Sequence, residues 1–144
     1  MQAAKDKTKA LLKKIESGQA LSAPASNDSL ESFWEGLKDR DYVSLLAFLP
    51  DREPIRKALV RLQAEIRAAS RVAVTLGFGP RYLHSTGQLH KGGPDSGIFI
   101  LFTAESSEDL SIPGEKFSFA QLELAQALGD LEALKSKGRR VFHL

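Results

Sequence analysis

The sequence predicts an α/β fold, a three-layer sandwich around a mostly parallel sheet of about four strands, and three observations predict it. Residues 42–49 form a nearly continuous apolar run, as a strand buried on both faces does. A second such run, residues 71–78, follows one amphipathic segment of about fifteen residues, and strand–helix–strand is the crossover that makes a parallel pair. The third observation is an 18-residue polar stretch, residues 77–94, running from the end of the second strand to another apolar run, residues 98–102. Connections this long inside small domains are functional or disordered, and in such sheets ligands bind beyond the carboxyl ends of the strands.

In chain order, residues 3–15 suit a short amphipathic helix with Leu11, Leu12 and Ile15 clustered and lysines elsewhere, a solvated helix packing loosely. An anionic surface or a partner helix is the alternative reading. Residues 17–26 are small and polar and include Gly18 and Pro24, which reads as a linker. The division is therefore a basic N-terminal helix and flexible linker, 1–26, before a folded α/β domain, 27–144. Asn27 or Asp28 can cap a helix over roughly 28–38, with Leu30, Phe33, Trp34 and Leu37 at helical spacing and Trp34 expected in the core. The first strand ends at Pro50-Asp51, where Asp51 can cap the next helix and Pro54 fits its first turn. Ile55, Leu59, Leu62 and Ile66 carry that helix to about Ala69. The second strand is 71–78 and the third 97–103. Ser118 and Gln121 then form a capping-box signature before Leu122, Ala125, Leu128, Leu131 and Leu134, with a break expected near Gly129-Asp130. Gly138 suits the cap beyond that helix, and 139–144 is the last strand.

The 144 residues allow one domain with a modest core, and 42% hydrophobic with 26% charged residues is an ordinary globular composition. No cysteine is present, which removes disulfides and thiolate chemistry and fits a cytosolic protein. No apolar run reaches the ~18 residues a bilayer requires, so no membrane partner is expected. The pI near 8.9 comes from the N-terminal tail: residues 1–16 carry five lysines against two acids, while the remaining 15 basic and 16 acidic residues net −1. A basic face on the folded body is the footprint of nucleic-acid binding, and none is indicated.

The polar stretch holds five glycines and two of the three histidines. Phosphate is the simplest ligand for it. Ser85 and Thr86 offer hydroxyl donors, glycines such as Gly92 and Gly93 let backbone N–H groups approach an anion, and Arg81 or Lys91 supplies charge. Neither the P-loop spacing nor a dinucleotide fingerprint is present, which disfavours a nucleotide cradle. His84 and His90 are candidates for acid–base work near pH 7. Six residues apart and without nearby paired carboxylates, they do not make a metal site, and no metal or other cofactor is expected. Asp95 reads as a turn residue and His143 as a structural or edge residue.

The run from Thr75 to Pro94, with Asp41-Tyr42-Val43-Ser44-Leu45-Leu46-Ala47-Phe48-Leu49-Pro50, Ile112-Pro113-Gly114-Glu115 and Ala125-Gln126-Ala127-Leu128-Gly129-Asp130, resembles the C-terminal part of glucose-6-phosphate isomerases. The similarity covers about residues 40–144 and is greatest to the isomerase half of bacterial bifunctional transaldolase/glucose-6-phosphate isomerases. The resemblance implies a sugar-isomerase α/β domain that interconverts glucose 6-phosphate and fructose 6-phosphate without a metal. Ring opening is followed by proton transfer between C1 and C2 through an enediol, with a carboxylate base. His84-Ser85, Gln88-Leu89 and His90 resemble the family's His-Ser-x-x-Gln-Leu-x-His-like segment, one residue shorter before the second histidine. That implies His84, or alternatively His90, as the ring-opening residue, and Gln88 in the substrate site.

The same comparison shows departures. The family's serine/threonine-rich phosphate loop, its glutamate base and its late catalytic lysine have no counterpart here, and Lys91 is the candidate to take the lysine's role. The expectation is a fragment or separately encoded last domain that carries part of a composite site and is inactive alone. Its partners would be a sugar phosphate and either a second copy or the remaining domains of the same enzyme. The alternative is a non-catalytic sugar-phosphate-binding or assembly module of the same fold.

Overall fold

The computed structural model describes residues 2–21, 30–104 and 109–144. The caps proposed at Asn27 and Asp28, and residues 22–26 of the linker, lie outside them.

Strand β1 (Tyr42–Phe48) is the middle of the molecule, buried from Val43 to its end. Side chains alternate across a strand, so Val43, Leu45 and Ala47 face one side and Leu46 and Phe48 the other. β1 pairs in parallel with β2 (Ala73–Phe78), Leu45 opposite Leu76, and with β3 (Gly97–Thr103), Leu45 opposite Ile100. β4 (Arg140–His143) joins β3 in parallel, Val141 opposite Phe99. The order is β2-β1-β3-β4, and all four strands run the same way.

Helices cover both faces. α2 (Leu30–Glu35) and α3 (Glu53–Ser70) lie over the first, where Phe33 and Ile66 meet Val43, Leu45, Ile98 and Ile100, and Leu59 packs with Ala47 and Phe78. The second face carries α1 (Gln2–Glu16), a 3-10 turn (Arg81–Leu83), α4 (Ser85–Gly92) and α5 (Phe119–Lys135). There Leu11, Tyr82, Leu128, Leu131 and Leu134 pack with Leu46, Phe48, Phe99 and Leu101 in one cluster. Each such side chain contributes about 1.5–3 kcal/mol on burial. The expected sandwich is present.

Several local expectations are corrected. α1 is not a loosely packed preface: Leu11 and Ile15 are buried, and Lys7 reaches Glu132 on α5, 3.3 Å to its carbonyl and 3.5 Å to its carboxylate. α3 begins after Arg52, whose side chain does not cap the helix. Asp51, freed from capping, pairs instead with Arg56 at 2.6 Å and with Arg81. β2 starts at Ala73 because Arg71 adopts a left-handed conformation (φ 59°) that closes α3. Phe33, 1% exposed, takes the core position expected of Trp34, which is 43% exposed and stands edge-on to it. α5 runs unbroken through Gly129-Asp130, both of which are buried.

Its capping box does form: Ser118 Oγ accepts from the Gln121 amide at 3.2 Å, and Gln121 Oε1 accepts from the Ser118 amide at 2.9 Å. Gly138 follows the helix at φ +71°, the conformation glycine adopts most readily. At the other end of the sheet, Arg140 donates to Asp41 at 2.7 Å and holds its carboxyl below the usual range. Asp95, beyond a turn role, pairs with Arg139 at 3.0 Å. His143 is buried with Nε2 3.0 Å from Thr103 Oγ1, a structural contact as anticipated. Among the described residues, no helix is long and apolar enough to cross a membrane.

Candidate functional site

The polar stretch between β2 and β3 is not an open loop. It turns through Gly79-Pro80, makes the 3-10 turn and continues as α4, eight residues long. Its glycines read in the sequence as letting the backbone approach an anion, yet two of them serve packing. A Cβ on Gly87 would lie 3.2 Å from the Tyr82 carbonyl oxygen, so glycine lets α4 sit close against the 3-10 turn. A Cβ on Gly93 would lie 2.6 Å from the Leu89 carbonyl oxygen, the group that accepts the Gly93 amide at 2.8 Å to close the helix. Only glycine fits there.

Helical geometry decides which side chains meet. At about 100° per residue, positions 84, 87, 88 and 91 share one face, whereas His84 and His90 diverge by about 120°. His84, Gly87, Gln88 and Lys91 accordingly line a cleft of about 510 Å³ beside the carboxyl end of β2. Pro80, Arg81 and Leu83 add to this wall, Lys5, Thr8 and Lys9 of α1 form another, and Gln126 of α5 completes the lining. Of the expected site residues, the structure brings together Arg81, His84, Gln88 and Lys91. Ser85 and Thr86 are exposed in the first turn of α4, and Gly92 and Gly93 lie at its far end, all four outside the lining.

His90 points the other way, into the core. It is 2% exposed, with ring centroids of Phe99 at 4.9 Å and of Tyr42 and Tyr82 at 6.1 Å. Its Nε2 lies 3.5 Å from Ser44 Oγ, and its Nδ1 has no hydrogen-bond partner among the described residues. Burial lowers its pKa from 6.5 to about 4, the Asp130 charge opposing and Lys91 assisting. A neutral imidazole enclosed by aromatic rings is a core residue. The expectation of His90 as a cleft acid or base is corrected on that ground.

Beneath the cleft lies a carboxylate that local sequence pattern did not bring to the site. Asp130, 1% exposed, accepts the Tyr82 hydroxyl at 2.7 Å and forms an ion pair with the Lys91 ammonium. Tyr82 is held well above its ordinary pKa by burial and by the Asp130 charge, so its hydroxyl stays protonated and donates. Lys91 also donates to the Gly87 carbonyl at 3.4 Å. The side chain is thus fixed along the cleft floor by Asp130 and the Gly87 carbonyl. The available signal was an aspartate within the apolar stripe of a helix, Leu128-Gly129-Asp130-Leu131, where a carboxylate needs a cationic or hydroxyl partner.

The cleft is strongly cationic. Lys5, Lys9, Arg81 and Lys91 line it and, among the described residues, no carboxylate does. Asp51, outside the lining, binds Arg81 and Arg56, and those hydrogen bonds, Arg81 first, lower its pKa. An adjoining cleft of about 400 Å³ shares Pro80 and Gln126 but has the opposite chemistry, with Leu110, Phe119 and Leu122 beside Asp109 and Glu123. Burial raises the Glu123 pKa. For a sheet of this order the point where the strand order reverses lies between β1 and β3. The space beside Phe48 and Thr103 there is only about 20 Å³, too small for a ligand. Among the described residues, no group of three or more histidine, aspartate or glutamate side chains is placed to hold a metal ion.

No family model and no curated protein matches the chain. Among solved structures it is similar to a hypothetical protein, TT0462, from Thermus thermophilus, with a TM-score of 0.64 and 23% sequence identity. The match covers 80% of this chain and 31% of that one, so this chain spans less than a third of that relative's length. At that identity the likeness establishes the shared α/β architecture.

Proposed function

We propose that this chain is the C-terminal domain of a glucose-6-phosphate isomerase, supplying part of a composite active site and inactive alone. One observation carries the reading: His84, Gln88 and Lys91 fall on one face of α4, with Arg81 in the same cationic cleft. A phosphate monoester suits such a lining, because charge-assisted hydrogen bonds to a dianion are the strong ones. His84 is exposed at the cleft, as a group exchanging protons with a bound sugar must be. In ring opening it would protonate the ring oxygen as the anomeric hydroxyl gives up its proton and the C1–O5 bond breaks. The C2 proton must then move to C1 by way of a carboxylate.

Among the described residues, no carboxylate lines the cleft. That favours either a base contributed by other domains or by a second copy, or the second reading, a non-catalytic sugar-phosphate-binding module. Cytoplasmic residence accords with the cysteine-free sequence. The test is a coupled assay for fructose 6-phosphate, on this chain and on the complete enzyme. Activity is expected only in the complete enzyme, and His84→Ala there should lower turnover by about 10²–10⁴, the range for one acid or base. Unchanged turnover would remove His84 from the mechanism. Binding without turnover in every context would establish the second reading.

A further inference from the structure

We propose that α1 is a working wall of the phosphate site: Lys5 and Lys9, with Thr8 between them, close over the phosphate of a bound sugar from the side opposite Arg81 and Lys91. The inference rests on the sugar-phosphate reading of the cleft and extends it to a segment that reads in the sequence as a solvated tail.

Three observations carry it. First, α1 is docked in place, through buried Leu11 and Ile15 and the Lys7–Glu132 contact on α5. Second, residues 5, 8 and 9 share one helical face, and that face lines the cleft. Third, the charges do not cancel within the cleft. Asp51 and Asp130 answer Arg81 and Lys91 from outside its lining. Lys5 and Lys9 add two further cations where, among the described residues, no carboxylate contributes to the wall. Like charges lining one cleft repel, and a dianion among them relieves that repulsion while accepting their hydrogen bonds. Both lysines are exposed and border the same cleft.

The test uses the intact chain at low salt. Inorganic phosphate and glucose 6-phosphate are titrated calorimetrically into the wild type, a Lys5→Met/Lys9→Met variant and a Lys13→Met/Lys14→Met control of equal charge whose side chains are exposed and lie outside the cleft. The cleft variant should bind both ligands about 10–100-fold more weakly, as loss of charge-assisted hydrogen bonds implies. The control should stay within about 3-fold, and ligand should slow amide exchange in α1. Equal affinity of the cleft variant and the wild type would overturn the role of α1 while leaving the sugar-phosphate site standing. Equal weakening in the control would overturn it too, by tracing the effect to net charge. Absence of binding by the wild type would overturn both readings.

Discussion

Asp130 has almost no access to water, so its charge must be met by neighbours, and the two that meet it come from one short connection: Tyr82 from the 3-10 turn and Lys91 from α4. Removing one partner of a buried pair costs roughly 3–5 kcal/mol because the other charge is left unanswered. The Lys91 side chain, 14% exposed, can relax into the cleft, which reduces that cost. Asp130→Asn is therefore expected to destabilise by about 2–3 kcal/mol in urea unfolding, with Tyr82→Phe nearer 1 kcal/mol. A loss below about 0.5 kcal/mol for Asp130→Asn would contradict the assigned role. His90 makes a second claim at this scale. Its pKa falls from 6.5 to about 4 on folding, so between those values the unfolded chain binds the proton and the native state does not. Stability should be complete above pH 6.5 and fall by about 2–3 kcal/mol as the pH drops toward 4. Glu123, raised by burial, works in the opposite direction just above its ordinary value. Comparing urea midpoints of wild type and His90→Gln across pH 7.5–4.5 isolates the histidine, and parallel curves would show that it does not titrate as a buried group.

Elements with a strong period were legible in the sequence. The spacing of Leu59 and Ile66 gave α3, and the apolar runs gave β1 and β3 to within a residue or two. Ser118 and Gln121 marked the start of α5. α4 was missed for a definite reason: two of its eight residues and its closing position are glycine and only Leu89 is apolar, so local propensity there points to a loop. Tertiary contact reverses that preference, since Gly87 permits an approach that a Cβ would crowd. Missing the helix hid the geometry that separates His84 from His90. Phe33 and Trp34 illustrate another limit of local pattern. Both lie in a six-residue helix, too short for its period to say which of two neighbouring aromatics turns inward. The docking of α1 depends on complementarity with α5, a helix more than a hundred residues away, and no local rule carries that information.

For the whole molecule, a parallel sheet covered on both faces follows from two features of the chain, apolar strands and one crossover helix between the first pair. The site followed only in part. Arg81, His84, Gln88 and Lys91 were legible because they sit together in one polar segment, while Asp130, Lys5 and Lys9 come from distant helices that folding brings to the same place. The cationic cleft between α1 and α4 is therefore a property of the assembled layers. Its ability to hold a phosphorylated sugar is most directly tested by titrating the ¹⁵N-labelled chain with glucose 6-phosphate and following backbone amide resonances. Saturable shifts concentrated in residues 81–91 and 5–9 are predicted. No shifts, or shifts confined to residues 109–110 and 119–123 around the neighbouring acidic cleft, would contradict the account.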